Sequence, residues 1–260
     1  MSARPAHRLR RLGLPLVGVL LVAGVWLVAT DVLSLFGPTV LPSPIKVVDE
    51  FLRIRELILD HVWITFRAGL LGFLLAIGLA LVTGMLVTLN QRVQDTLMPL
   101  LVGGNTVPRV AVAPLIIFYI DVTTFASLLI AAWVAYFPIL INVIEGLEST
   151  SKDELDFLSV VGASTWQEYR FLKIPNALPY IFDGLKIGII TAMVGAIVGE
   201  FVASSEGVGY LALLGLQDSN VALTLALVFL IGIATTLIIY AIYLLEARLM
   251  FWQDTSLFSE

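Results

Sequence analysis

Residues 219–245 read SNVALTLALVFLIGIATTLIIYAIYLL and carry no charged side chain. A helix needs about 20 apolar residues to cross the hydrocarbon core of a bilayer, so this stretch is long enough to be a transmembrane helix. Uncharged runs of similar length occur at 12–30, 68–90 and 122–144. The sequence therefore predicts at least four membrane spans.

Two further apolar segments, 96–120 and 180–202, are interrupted by proline or charge. We interpret both as membrane spans, because six spans place the charged loops consistently. The whole chain, 1–260, is then one all-α transmembrane domain. The interrupting residues are Pro108, Arg109 and Pro114 in the first segment, and Asp183, Lys186 and Glu200 in the second.

The composition agrees with a membrane protein: 59% of the residues are hydrophobic and 13% are charged, against about 25% charged in soluble domains. The chain has no cysteine, which excludes disulfides, iron–sulfur clusters and thiol catalysis. His7 and His61 form no H-E-x-x-H pattern. No metal site is expected.

The basic residues predict which side of the membrane each loop occupies, because cytoplasmic loops are rich in Lys and Arg. The segment 1–11 is strongly basic and is predicted to be a cytoplasmic tail; a cleaved signal peptide is the alternative, but 12–30 is longer than the usual signal core. Both termini are then cytoplasmic. This orientation leaves only Lys46, Arg53, Arg55 and Arg67 on the outer side.

The segment 45–59 is predicted to be an amphipathic helix on the outer surface. Its apolar residues Val47, Phe51, Ile54 and Ile58 recur at helical spacing, and charged residues lie between them. Such a helix lies along a membrane surface. A packing lid over the span ends and a docking surface for another protein are both open interpretations.

The loop between the fourth and fifth spans contains strong local signals for a helix and a turn. Ser151 and Glu154 have the spacing of a capping box, in which each side chain accepts a hydrogen bond from the other residue's backbone N–H. Gly162 is predicted to end that helix in the left-handed conformation. The pattern predicts a short helix followed by a glycine turn.

A second short helix is predicted after the turn. Ser164 and Gln167 repeat the capping-box spacing. Pro175 is expected to stop this helix because proline has no N–H to donate, and Pro179 is expected to open the fifth span. The complete prediction is a pair of cytoplasmic helices over 151–174.

These two helices carry more apolar side chains than a solvated loop needs. An exposed apolar patch usually marks an interface with another molecule; packing against the chain's own bundle is the alternative. The residues are Phe157, Leu158, Val160, Val161, Trp166, Tyr169, Phe171 and Leu172.

At this point the sequence resembles a known family. Gly162, Leu172, Ile174 and Pro175 have the spacing of the cytoplasmic "EAA" loop of ATP-binding-cassette importer permeases, although the name-giving triplet reads Asp156-Phe157-Leu158 here. The resemblance implies that this loop couples the permease to an ATPase. The implied coupling residues are Asp156, Gly162, Ala163, Ser164, Trp166, Leu172, Ile174 and Pro175.

Other segments resemble the same family in the same order along the chain. The closest group is that of taurine, sulfonate, nitrate and thiamine-precursor importers. The segments are Leu41–Pro44, Thr65–Gly69, Val107–Leu115, Gly162–Trp166, Ile174–Ile181 and Gly199–Tyr210.

The resemblance implies a set of partners in a prokaryotic cytoplasmic membrane. A second permease subunit, expected to be an identical copy rather than a different chain, completes the path in the bilayer. Two ATP-binding-cassette ATPases bind the cytoplasmic loops, and an extracytoplasmic solute-binding protein delivers a small solute. No nucleic-acid partner is expected.

The expected division of labour places ATP and Mg on the partner ATPase and no cofactor on this chain, which is not an enzyme. The residues agree, since none of the lysines lies in a G-x-x-x-x-G-K-[ST] phosphate-binding loop. ATP hydrolysis must then come from another chain.

Charged residues at bilayer depth are costly and usually face a cavity or a partner. Arg109 could attract an anionic solute or brace the bundle, and Asn142 could line the path. Glu200 could pair with an arginine, hydrogen-bond backbone at a kink, or contact the solute in the path. Asp183 and Lys186 are three residues apart and can pair locally.

Small residues repeat along the fifth span, where Gly184, Gly188, Gly195 and Gly199 have the spacing that permits close helix packing. Packing within the subunit is the simpler interpretation, and a contact between subunits is the alternative.

Two competing functions remain open from the sequence. Arg109 and Glu200 would also agree with half of an ion-driven secondary transporter. An intramembrane enzyme is disfavoured, because the chain has no cysteine and no pair of aspartates at membrane depth. The sequence does not identify the solute.

Overall fold

The computed structural model describes residues 17–120 and 123–250, and this part of the chain contains helices and turns but no β-strand. The predicted tail 1–11, the start of the first predicted span and residue 122 lie outside it. The helices are α1 (Val17–Val32), α2 (Pro44–Arg53), α3 (Arg55–Thr88), α4 (Gln91–Thr106), α5 (Ala113–Tyr119), α6 (Thr123–Glu148), α7 (Lys152–Val160), α8 (Thr165–Glu168), α9 (Ile174–Ala203), α10 (Val208–Gln217) and α11 (Val221–Leu249).

The helix lengths confirm an all-α integral membrane protein. Among the described residues four helical segments are long and apolar enough to cross a bilayer: Arg55–Thr88, Phe125–Glu148, Thr165–Val202 and Val221–Leu249. The bent pair α4 and α5 makes a fifth candidate, and α1 is shorter and apolar. The count of six spans stays a prediction.

The predicted outer helix, 45–59, is in fact divided between two helices. α2 begins on Ser43, whose side chain accepts from the Lys46 N–H at 3.4 Å, and it ends at Ile54, where φ is −126° and ψ is 31°. Residues 55–59 already belong to α3, which starts well before the predicted boundary at 68. The apolar spacing continues across Ile54, so periodicity alone did not reveal the break.

The charged face of α2 contains a local ion pair. Arg53 donates to Glu50 at 2.6 Å and 3.0 Å, and this contact lowers the pKa of Glu50. Asn220 also donates to Glu50, at 2.7 Å.

The predicted third span, 96–120, is not one continuous helix. Val107 is extended, with φ −63° and ψ 129°, because the ring of Pro108 disfavours a helical residue before it. A 3-10 turn, Arg109–Val112, follows, and α4 and α5 meet at 82°. Pro114 lies in the first turn of α5, where its missing N–H costs nothing.

The chain forms two compact units. Of the described residues, the first contains 17–59 and 211–229. In it the indole N–H of Trp26 donates to the Pro42 carbonyl at 3.1 Å, and the Trp26 ring packs on Phe229 with ring centroids 5.8 Å apart.

The second unit contains the main core, and its described residues are 60–120, 123–210 and 230–250. It is built on the pairing of α6 with α9, and α3 packs on both, with buried Ala76, Ala80 and Phe73 in the same cluster. The glycines of α9 permit the close approach: a side-chain carbon on Gly195 would lie 2.8 Å from Ala131 Cα of α6. This confirms packing within the subunit as a role of the glycine repeat.

Candidate functional site

The helix–turn–helix segment (residues 151–173) is the most distinctive local structure of the second unit. α7 begins on the predicted capping box: Glu154 N–H donates to Ser151 Oγ at 3.3 Å, and Ser151 N–H donates to Glu154 Oε2 at 3.0 Å. Two backbone donors at the start of α7 are therefore satisfied locally. The prediction of a short helix here is confirmed.

Gly162 makes the turn between the two short helices. Its φ is +74°, in the left-handed region that favours glycine. The Gly162 N–H donates to Ser159 O and the Ala163 N–H donates to Leu158 O, both at 3.0 Å, which closes the end of α7. The second capping box then starts α8, with Gln167 N–H donating to Ser164 Oγ at 3.4 Å. Both predictions are confirmed.

The prediction that Pro175 stops the second helix is wrong. A π-helical turn, Tyr169–Lys173, joins α8 directly to α9, so one helical segment runs over Thr165–Val202. Pro175 lies in the first turn of α9 and Pro179 lies inside that helix rather than opening it. The wider π turn redirects the backbone ahead of the proline, which has no N–H to donate. The short helix α8 is thus the beginning of a long membrane helix.

Five large apolar side chains of this segment are exposed to solvent. Phe157 is 67% exposed and Val160 is 84% exposed, and Val161, Trp166 and Phe171 are similarly uncovered. Phe157 and Phe171 also line a groove of about 400 Å³, whose rim includes Asp153 and Glu154. Burying such a surface is favourable, at roughly 25 cal/mol per Å² of apolar area, so it is suited to a protein contact.

Tyr169 was predicted to belong to this exposed patch, and that is wrong. It is only 6% exposed. Its hydroxyl forms a hydrogen bond of 2.9 Å with Thr88 Oγ1, at the end of α3, and Lys173 Nζ lies 4.7 Å from its ring centroid. This tie to α3 joins residues far apart in the sequence, and no local pattern signals it.

The other predicted coupling residues lie together on this segment. Asp156, Gly162, Ser164 and Trp166 are exposed. Ala163, in the turn between α7 and α8, is half-buried, and so are Leu172, Ile174 and Pro175 at the junction with α9.

The predicted intramembrane residues lie in different places. The backbone of Arg109 forms the turn before α5, and its side chain lies outside the described part of the structure. Asn142 donates to the Pro138 carbonyl of its own helix at 2.8 Å and packs against Gly184 of α9. These contacts do not bring Asn142 to Glu200.

Glu200 is 2% exposed, and no arginine of the described residues pairs with it. Its Oε2 atom accepts from Thr65 Oγ1 at 2.8 Å and from the Gly209 N–H at 2.9 Å. A backbone contact was one of the interpretations of the sequence, and the contact with Thr65 was not predicted.

The predicted pair of Asp183 and Lys186 is confirmed, with a distance of 3.0 Å. Lys186 also contacts Glu246 of α11 at 2.8 Å. This second partner could not be found by spacing, because it lies sixty residues away along the chain.

A bundle of membrane helices with an exposed apolar helix–turn–helix is typical of integral membrane proteins that bind another protein at the end of a span. A family model identifies the family within this class. The chain belongs to the family of binding-protein-dependent transport system inner membrane components, whose model matches residues 68–251.

Individual relatives cover nearly the whole chain. The riboflavin transport system permease protein RibX of Chloroflexus aurantiacus is 36% identical over 93% of this chain and 90% of its own length. The formylaminopyrimidine transport permease protein ThiX of Halalkalibacterium halodurans is 28% identical over 92% and 95%. The taurine transport system permease protein TauC of Escherichia coli is 26% identical over 95% and 92%.

These relationships confirm the resemblance to permeases of ATP-binding-cassette importers, near the sulfonate, taurine and thiamine-precursor group. The chain is a multi-pass inner-membrane transport component and not an enzyme. Importers of this family work with an ATPase and a solute-binding protein. The family therefore favours this function over an ion-driven carrier.

Proposed function

We propose that two copies of this chain form the translocation path of an ATP-driven importer for a small solute. Each copy crosses the membrane six times with both termini in the cytoplasm. A solute-binding protein delivers the solute from outside, and two ATPase subunits, which hold ATP and Mg, bind the helix–turn–helix segments. This chain itself binds no cofactor.

The observation that carries the proposal is the uncovered apolar surface on a segment continuous with a membrane helix. Phe157 and Trp166 are exposed although their own helices are held firmly by capping boxes. A rigid segment with uncovered aromatic groups can be gripped by a second protein and can transmit its movement. Because α8 continues into α9, a push on Trp166 acts directly on a membrane span.

The proposed solute is small, and its chemical class is left to experiment. The relatives named above transport riboflavin, formylaminopyrimidine or taurine, so both aromatic heterocycles and sulfonates belong in an uptake screen. Arg109 is the residue that would favour an anion.

The test is binding of the partner ATP-binding-cassette ATPase, for which the products of the neighbouring genes are the first candidates. Phe157→Glu places a charge in the apolar surface and should weaken binding about tenfold or more, because a buried unpaired charge costs several kcal/mol. Ser159→Glu is the matched control, since it adds the same charge two residues away on the opposite face of α7. It should bind within about twofold of the parent chain, as exposed substitutions usually do.

The wild-type complex should also take up solute only when ATP is supplied. If the chain forms no complex with the ATPase, or if uptake continues without ATP and stops with an uncoupler, the importer proposal is wrong. If Phe157→Glu binds the ATPase as well as Ser159→Glu does, the exposed surface is not the binding site.

A further inference from the structure

The far end of α9, opposite the helix–turn–helix segment, contains a buried polar cluster that the proposed function does not use. Glu200 is 2% exposed and Thr65 is fully buried. Polar groups are costly to bury unless they are hydrogen-bonded. The hydrogen bonds that this cluster makes between helices therefore indicate its role.

Three hydrogen bonds join the end of the loop after α9 and the first turn of α10 to α3 and α9. The Gly207 N–H donates to His61 Nδ1 at 2.9 Å, the Val208 N–H donates to Thr65 Oγ1 at 2.7 Å, and the Gly209 N–H donates to Glu200 Oε2 at 2.9 Å. These three successive backbone groups are thus each bound by a different side chain. The point where the loop enters α10 is therefore held by both α3 and α9.

The Thr65 hydroxyl closes the cluster, because it accepts from Val208 and donates to Glu200 Oε2 at 2.8 Å. Glu200 Oε2 consequently receives one hydrogen bond from α3 and one from the start of α10. No other residue of the cluster accepts from both elements.

The shape of the loop agrees with this role for Glu200. Gly207 has a φ of +98°, and a side-chain carbon there would lie 2.3 Å from the Glu200 carboxyl carbon. The loop backbone is therefore folded directly over the carboxyl group. Only glycine permits that approach.

The contacts of Glu200 call for an oxygen acceptor rather than for a charge. Both hydrogen bonds reach the single atom Oε2, and both donors are neutral. Oε1 is buried and has no hydrogen-bond partner in the described residues. An amide oxygen in the position of Oε2 can accept the same two bonds.

We propose that Glu200 is a positioning residue that joins α3, α9 and the start of α10, and with it the α9–α10 loop, into one rigid unit at this end of the bundle. The functional consequence of this inference rests on the proposed function. Movement applied to α8 by the ATPase would reach the far end of α9, and α3 and the loop would move with it. Nothing in the family comparison assigns such a role.

The test is a distance between nitroxide labels on α3 and on the loop. The chain has no cysteine, so Trp63→Cys and Ser205→Cys, both at exposed positions, give one labelled pair. Labelled chain is diluted with unlabelled chain and measured in lipid nanodiscs with the ATPase, without nucleotide and after trapping with ATP and vanadate. The parent chain should give the same narrow distance distribution in both states.

Four variants decide whether Glu200 is responsible. Glu200→Ala and Thr65→Val remove the bond between α3 and α9 and should broaden the distribution. Glu200→Gln retains the oxygen acceptor and should keep it narrow. Glu206→Gln, an exposed acid in the same loop, is the matched control and should also keep it narrow.

The proposal is overturned if the parent distance changes on trapping, if Glu200→Ala and Thr65→Val both stay narrow, or if Glu200→Gln broadens as much as Glu200→Ala. Should Glu200→Ala fail to fold, the near-isosteric Thr65→Val and Glu200→Gln still decide. The widths of the distance distributions can also be compared among the variants with neither ATPase nor nucleotide present. That comparison separates failure of this inference from failure of the importer proposal.

Discussion

The two ends of α9 are stabilised in different ways. Its first turn continues from α8, where the hydrogen bonds are local and large side chains such as Trp166 remain uncovered. Its last turns carry the buried Glu200, whose side chain accepts a hydrogen bond from Thr65, 135 positions away along the chain. The first end is stabilised by local hydrogen bonds and leaves apolar surface exposed for a partner. The other end is stabilised by hydrogen bonds between helices of the same chain.

The largest effect is expected from changing the turn that shapes the partner-binding end. Gly162→Val should weaken ATPase binding about tenfold or more, since a β-branched residue is a strong outlier at positive φ. Nothing lies within 4 Å of a side-chain carbon built on Gly162, so the loss would come from the backbone alone. The measurement is the affinity of the ATPase for the chain in nanodiscs.

Gly162→Asn is the control, because asparagine tolerates the left-handed region better than other residues. It should retain most of the affinity. Equal loss in the two variants would mean that the turn conformation is not what matters.

A smaller effect, on the stability of the chain rather than on ATPase binding, is expected from Gly195, which lies between the two ends of α9 and packs on α6. Gly195→Ala should cost roughly 1–3 kcal/mol of unfolding free energy, because the new carbon would meet the backbone of Ala131, which cannot move aside. Gly78→Ala in α3, where nothing lies within 4 Å, should be neutral or stabilising by up to about 1 kcal/mol. Thermal unfolding in detergent measures both, and similar shifts would contradict close packing of α6 on α9.

The smallest effect is expected from Tyr169, which lies in the helix–turn–helix segment but forms a long-range hydrogen bond to Thr88 of α3. Tyr169→Phe removes the hydrogen bond to Thr88 and should cost about 1 kcal/mol. Tyr180→Phe, on an exposed ring of α9, is the control and should leave the unfolding temperature unchanged. An unfolding temperature of Tyr169→Phe equal to that of the control would show that the hydrogen bond to Thr88 contributes nothing.

The sequence predicts one end of α9 much better than the other, for a physical reason. The capping boxes at Ser151 and Ser164 and the turn at Gly162 are local, so their partners lie within a few residues and their spacing is diagnostic. Glu200 with Thr65 and Lys186 with Glu246 depend on tertiary packing, which spacing does not encode. Motifs that resemble the family occur at both ends of α9, but a motif does not predict which residues contact each other.

The errors in the predicted helix boundaries have the same origin. Pro175 has the properties of a helix stop, yet the π turn over Tyr169–Lys173 carries the chain past it. Pro108 does break its helix, although the apolar run around it suggested one continuous span. The effect of a proline thus depends on the turn before it, which a single sequence does not show.

The most direct test of the account is the accessibility of one cysteine in place of Val160, the most exposed of the large apolar side chains in the helix–turn–helix segment. Val160→Cys, in a chain with no other cysteine, should react with a membrane-impermeant maleimide in inside-out vesicles and not in intact cells. Binding of the ATPase should protect it. Reaction from the outside, or equal reaction with and without the bound ATPase, would contradict the assignment of this segment as the contact with the motor subunit.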